Sequence, residues 1–224
     1  MNLLAIDCSS KTASAALLRD GRLLAQSFLN AGLTHSETLM PMISQLLEQA
    51  RVGLAEIEGL AVTNGPGSFT GLRIGISTIL GLSLSRDIPC CGVSSLEAAA
   101  WGVRHMEGVI CALMDARCEQ VYTALFEADG ESLRRLSPDA AVEASSVFSQ
   151  IGEKPAVLVG DGAEMCYRLW KSEKLRLAPE HLRYPSGFGT ALAALAKNEF
   201  HGGQALRAEY IRVPQAERER RKQC

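Results

Sequence analysis

The stretch from Leu60 to Leu84 constrains the fold more than any other. Leu60-Ala61-Val62-Thr63 predicts a buried strand, Asn64-Gly65-Pro66-Gly67-Ser68 a tight loop, and Leu72 to Leu84 a helix. Glycines let the chain turn sharply and let other backbone approach closely. The helix is apolar or small on nearly every side, and Arg73 is its one charged residue. A helix with one wet face carries polar residues there, so this one needs cover on a second side as well.

The elements before it predict a meander. Leu3-Leu4-Ala5-Ile6 followed by Asp7-Cys8-Ser9-Ser10 is a buried strand ending in a polar turn. Thr12 to Leu18 and Arg22 to Leu29 are two more strands joined by an Asp20-Gly21 turn. Thr34-His35-Ser36-Glu37 fits a capping box, and Leu39, Ile43, Leu46 and Ala50 then recur at helical spacing, with Met40 and Leu47 beside them. Pro41 implies a kink, or a helix start nearer Thr38. Past the glycine loop, Pro89 to Val93 is a short strand, and Ser94 with Glu97 caps a helix running to about Val103.

The pattern then repeats. At a constant offset close to half the chain, Ile6-Asp7 lies over Met114-Asp115 and Ala16-Leu17 over Ala124-Leu125. Asp129-Gly130 answers Asp20-Gly21. Such self-similarity predicts two related lobes. Ala144 to Ile151 is a short helix, Ala156 to Val159 a strand closed by Gly160-Asp161-Gly162, and a helix follows from Ala163. Leu175 to Pro185 is irregular, Ser186 to Glu199 helical, and Leu206 to Val213 extended. We expect an α/β protein of the actin-like (ASKHA) class, in which each lobe is a mixed sheet opening with a three-stranded meander and flanked by helices. The lobes span residues 1–104 and 105–216, and a charged tail spans 217–224. A single-lobed α/β sheet is the alternative.

Hydrophobic residues make up 47% of the chain and charged residues 21%, with a net charge of −2, so no overall electrostatic drive toward nucleic acid or membrane exists. Seven cysteines, an odd number with no C-x-x-C pair, predict a reducing compartment, hence a cytoplasmic protein. No signal peptide is evident, and Ser77, Thr78, Ser83 and Ser85 make the apolar helix a poor membrane span.

Four places could carry chemistry. Asp7 and Asp115 end matching strands, where a carboxylate can hold magnesium-bound water, yet Cys8-Ser9-Ser10 and Ala116-Arg117-Cys118 lack the glycine turns that phosphates need. Each Asp could instead bond local N–H groups. The loop Gly65 to Gly71 could cradle an anion at a helix N-terminus, but it lacks the P-loop Lys, Pro66 donates nothing, and close helix packing explains it equally. His35, His105, His181 and His201 are scattered, so no metal site is supported. Finally, Gly71 and Gly75, like Ser77, Gly81 and Ser85, are spaced to admit another helix. The covering surface is either the chain's own helix at 39–50 or a partner.

The runs Ala5-Ile6-Asp7-Cys8-Ser9-Ser10, His35-Ser36-Glu37-Thr38-Leu39-Met40-Pro41, Gly65-Pro66-Gly67-Ser68-Phe69-Thr70-Gly71-Leu72-Arg73-Ile74-Gly75, Gly92-Val93-Ser94-Ser95-Leu96-Glu97 and Asp115-Ala116-Arg117 resemble the TsaB (YeaZ) family. The match is close over about the first 120 residues and looser beyond, with Gly160-Asp161-Gly162 and Tyr210-Ile211-Arg212 in family-like places. The resemblance implies a non-catalytic scaffold in bacterial threonylcarbamoyladenosine (t6A) synthesis on the adenosine 3′ of the anticodon, in tRNAs reading codons that begin with A. Its implied partners are TsaD, which performs the transfer, the ATPase TsaE and a second copy of itself, with tRNA met mainly through the complex. TsaD carries metal-binding histidines in a V-H-H-M-E-G-H stretch. Here Val93 to Ala99 places Ser95 and Ala99 at the ligand positions, which argues against catalysis and against the older glycoprotease label. No cofactor is implied.

The family pairs through helices of the first lobe, which implies an interface at Leu39, Ile43, Leu46, Leu47, Gly71, Leu72, Gly75, Ile76 and Ile79. Residual nucleotide binding would fall on Asp7, Asp115, Gly160 and Gly162. The tail residues Arg218, Arg220, Arg221 and Lys222 could touch tRNA, although Glu217 and Glu219 dilute their charge. A stand-alone actin-like nucleotide-binding kinase or hydrolase is the alternative reading.

Overall fold

A computed structural model describes residues 1–152 and 154–211. The tail from Arg212 onward, with its basic residues, lies outside the described residues.

Two sheets organise the chain. The first has the order β3-β2-β1-β4-β5, built from β1 (Asn2–Asp7), β2 (Ala13–Arg19), β3 (Arg22–Leu29), β4 (Gly59–Gly65) and β5 (Cys90–Ser94). β1, β2 and β3 form an antiparallel meander, and β4 and β5 add parallel to β1. The second sheet runs β11-β10-β6-β7-β8, from β6 (Gly108–Asp115), β7 (Gln120–Ala128), β8 (Leu133–Arg135), β10 (Ala156–Val159) and β11 (Leu175–Leu177). A further strand, β9 (Ala140–Glu143), also pairs with β7. The sequence predicted two matching meanders. The third strand of the second is split, since β8 pairs with the end of β7 and β9 with its beginning. β11, in a stretch expected to be irregular, pairs parallel with β10.

The helices form layers around the sheets. β1 is apolar from Leu3 to Ile6 because both of its faces are covered there. Leu4 and Ile6 face α1 (His35–Ala50) and α2 (Phe69–Leu84), while Leu3 and Ala5 face α3 (Ser95–Gly102) and α6 (Gly187–Lys197). α3 serves both sheets. Its Ala98 packs in the first core, and Leu96, Ala99, Ala100 and Val103 pack against β6, β7 and β10. α4 (Ala144–Ile151) and α5 (Ala163–Trp170) cover the outer face of the second sheet. α6 belongs to the second half in sequence but packs on the first sheet, and its Gly187 N–H donates to Ser14 Oγ at 3.1 Å.

α1 starts at His35 and carries Pro41 inside it, so the start does not shift toward Thr38. The Thr34 hydroxyl makes no cap bond. Its carbonyl instead accepts from Glu37 N–H, Thr38 N–H and Thr38 Oγ1. Before α3 the expected cap holds, with Ser94 Oγ accepting from Glu97 N–H at 3.2 Å.

The second side of α2 is covered by the chain itself. Gly71, Leu72, Gly75, Ile76, Ile79 and Ser83 are buried, and α1 and the C-terminal segment enclose more. Leu206 joins this core, and Ile74, Leu80, Leu82 and Ala208 pack onto it. What stays exposed is a narrow strip of Thr70, Arg73, Ser77, Gly81, Leu84 and Ser85.

Candidate functional site

The strand-end acids occupy unlike settings. Asp7, at the end of β1, is fully buried. Its Oδ1 accepts from Ser9 Oγ and Thr63 Oγ1, each at 2.6 Å, and from Ser9 N–H at 3.3 Å. Burial pushes its carboxyl above the usual range, against the pull of those bonds. Asp115 is exposed, and its Oδ1 accepts from Arg117 N–H at 2.7 Å. Asp115 thus bonds a local N–H, whereas Asp7 bonds Ser9 locally and Thr63 from β4, and its buried Oδ2 has no hydrogen-bond partner among the described residues.

A third acid stands nearby. Asp161 Oδ1 accepts from Asp115 N–H at 3.0 Å. Its pKa is pushed up to about 6, mainly by burial, with the charges of Asp115 and Asp7 adding to the shift and the Asp115 N–H and Lys11 opposing it. The sequence signal for Asp161 was an acid between two glycines after a buried strand, matching the strand-then-acid pattern of the first lobe.

The glycines serve backbone packing. A Cβ at Gly71 would overlap the Cys8 carbonyl, and one at Gly67 the Ser9 carbonyl. Ser68 N–H donates to Ser9 O at 2.7 Å, and Ser68 Oγ accepts from Gly71 N–H at 3.3 Å. The His35 ring bonds the Ser10 carbonyl at 2.9 Å through Nε2. The β1–β2 turn therefore fills the space at the N-terminus of α2. In the second lobe, Gly160 N–H donates to Arg183 O at 2.6 Å and Gly162 N–H to Leu113 O at 3.0 Å. Both amides proposed to face a phosphate are committed within the chain.

The residues proposed for an interface divide. Leu39, Ile43, Leu46, Gly71, Leu72, Gly75, Ile76 and Ile79 are buried by the chain's own sheet and helices, and Leu47 is partly buried. Their apolarity is explained by this core, and the residues of these two helices left exposed include the outer strip of α2 and Met40 and Pro41 of α1.

Ser95 and Ala99 are both buried on α3, and Ser95 Oγ has no hydrogen-bond partner among the described residues. No group of three or more His, Cys, Asp or Glu among the described residues is arranged to hold a metal ion. Cys8, Cys90, Cys91, Cys111 and Cys166 are buried free thiols, and Cys118 is exposed. Burial pushes Cys111 and Cys166 up to about 12, which suppresses the reactive thiolate. No helix among the described residues is long and apolar enough to cross a membrane. A polar cavity of about 310 Å³ lies between the first sheet and the second lobe, lined among others by Asn64, Ser94, Glu97, Arg135, Asp139 and Glu209.

Comparison with known proteins agrees with this geometry. A family model described as TsaD, tRNA N6-adenosine threonylcarbamoyltransferase, matches residues 30–185. The tRNA threonylcarbamoyladenosine biosynthesis protein TsaB of Bacillus subtilis is 32% identical, over 97% of this chain and 96% of its own length. A solved Pseudomonas aeruginosa structure, described as a protein similar to peptidase YeaZ, superposes with a TM-score of 0.82 at 27% identity, covering 94% of this chain and 99% of that one. At the level of fold alone, a Clostridium difficile 2-hydroxyisocaproyl-CoA dehydratase activator aligns with a TM-score of 0.54 at 13% identity, over 100% of this chain and 98% of its own. That likeness is one of fold, shared over the whole of this chain.

Proposed function

Because this chain belongs to the TsaB family, we propose that it serves t6A synthesis on tRNA as a non-catalytic scaffold that holds TsaD in its active arrangement. One observation carries the non-catalytic part. The turns after Asp7 and Asp115 contain no glycine, the Gly160 and Gly162 amides donate to Arg183 O and Leu113 O, Gly71 N–H donates to Ser68 Oγ, and Gly67 packs on the Ser9 carbonyl. An actin-like enzyme instead offers its nucleotide free backbone N–H groups from glycine turns.

Scaffolding asks instead for a firm surface. The strip on α2 supplies one, since Ser77 and Gly81 let a partner helix approach closely while the core beneath is filled. TsaD is the partner we assign to that strip, with TsaE joining the pair. A second copy of this chain would use the same strip in TsaD's absence. tRNA is met mainly through the complex, in the cytoplasm.

The test is reconstitution of t6A formation from TsaD, TsaE and tRNA with and without this chain. We expect modification to depend on it and the isolated chain to turn over no ATP. Full activity in its absence would overturn the proposal. Micromolar ATP binding with hydrolysis by this chain alone would favour the stand-alone kinase or hydrolase instead.

A further inference from the structure

The polar cavity has a closed circuit of side chains in its wall. Ser94, the last residue of β5, donates from Oγ to Asp139 Oδ2 at 2.6 Å. Asp139 pairs with Arg135 through Nη1, and Arg135 Nη2 reaches Glu97 Oε2 at 2.7 Å. Glu97 N–H returns to Ser94 Oγ at 3.2 Å. The guanidinium carbon also stands 4.7 Å from the centroid of the Phe126 ring.

Two of these residues come from the first sheet's edge and the start of α3. The other three come from β7, β8 and the approach to β9, all in the second lobe. Every carboxylate in the circuit is held by a donor from across the lobes.

We infer that Arg135 is the bolt of an interlobe latch, which fixes the angle between the two sheets through the chain's own side chains. Three features favour this over an ordinary surface ion pair. The side chains are only 33% (Arg135), 31% (Glu97) and 19% (Asp139) exposed, so solvent screens them less than a surface pair. A planar guanidinium gripping two carboxylates at once has a defined direction, which a single lysine contact lacks. At another contact around the turn after β1 the bridge is soft. Lys11 Nζ sits 5.2 Å from the Tyr184 ring, and Phe28 and Tyr184 meet at 6.2 Å between centroids. Aromatic contacts of that kind tolerate sliding, so among these polar and aromatic contacts the Arg135 circuit is the directional one, acting beside the apolar packing of α3 on both sheets. The inference concerns lobe geometry and stands apart from the assignment of TsaD as partner.

Spin labels on the exposed native Cys118 of the second lobe and on a Ser44→Cys introduced on α1, in a Cys224→Ser background, report the interlobe distance by pulsed electron resonance. We expect one narrow distance in the parent chain. Arg135→Ala should widen the distribution about twofold with the far-ultraviolet circular dichroism unchanged, because the lobes gain freedom while each core stays packed. Asp139→Asn keeps an acceptor for Ser94 and loses the ion pair, and should give an intermediate width. An unchanged width in Arg135→Ala would overturn the latch. Should that variant fail to fold, an unchanged width in Asp139→Asn would do the same.

Discussion

Asn64 and Glu209 grip each other in both directions. Glu209 N–H donates to the Asn64 carbonyl at 2.7 Å, and Asn64 Nδ2 donates to Glu209 Oε1 at 3.3 Å. Asn64 Nδ2 also donates to Arg207 O at 3.1 Å. The glycine loop is thus tied to the C-terminal segment as well as to the strand before it. Asn64→Ala removes two of these bonds at a mostly buried position. It should cost about 1–3 kcal/mol, read as a lower urea midpoint, whereas an unchanged midpoint would show that the clasp carries no stability.

Gly71 and Gly81 lie on the same helix and should respond oppositely to alanine. At Gly71 the added carbon meets the Cys8 carbonyl and the His35 ring, and strand and helix have to part. At Gly81 nothing lies within 4 Å. Gly71→Ala should destabilise by about 2 kcal/mol or more through overpacking, while Gly81→Ala should stabilise by about 0.5–1 kcal/mol through helix propensity. Thermal melts of the two variants compare them directly.

The interface proposal separates core from rim. Ile79→Asp places a charge in the filled core and should unfold the chain. Ser77→Arg and Leu84→Asp change exposed positions, so their melting points should stay within a few degrees of the parent. Size-exclusion chromatography with TsaD should show loss of co-elution for Ser77→Arg, and retention of the complex would remove α2 from the interface.

Asp161 gives the protein a pH signature. Its folded pKa of about 6 lies above the ordinary 3.8 of an aspartate. Between those values the folded state binds more protons than the unfolded one, so stability falls as pH rises through that window. Asp161→Asn keeps an acceptor for Asp115 N–H and removes the charge. The variant should be more stable than the parent at pH 8 by up to about 3 kcal/mol, and the gap should close toward pH 4. Parallel stability profiles from pH 4 to 8 would contradict the assignment.

Much of this architecture is written in local pattern. Leu3 to Ile6 is apolar at every position because both faces are covered, and the repeat of strand-then-acid at Asp115 marks the second sheet. The cap at Ser94 follows from its spacing to Glu97. Other features depend on contacts far apart in sequence. The apolar run in α2 suggested a partner because Leu206 and Ala208, which pack with it, come about 130 residues later. Nothing in the spacing of Arg135, Asp139, Ser94 and Glu97 announces a circuit, since it forms only when two lobes meet. Likewise, glycines spaced for a ligand and glycines spaced for neighbouring backbone look identical until the neighbours Cys8 and Leu113 are in place.

The return of α6 to the first sheet bears on how the molecule is made. Leu3, Ala5, Ala16 and Leu18 find their covering helix at Ala191, Ala193 and Ala194. On the ribosome, that sheet emerges first and waits with much of one apolar face covered only by α3 until nearly the whole chain has been synthesised. Contacts of such long sequence separation form slowly, and exposed apolar surface on a nascent chain invites aggregation. Slowed translation past the second lobe, or a stop codon before residue 187, would therefore endanger the first lobe more than the one being interrupted.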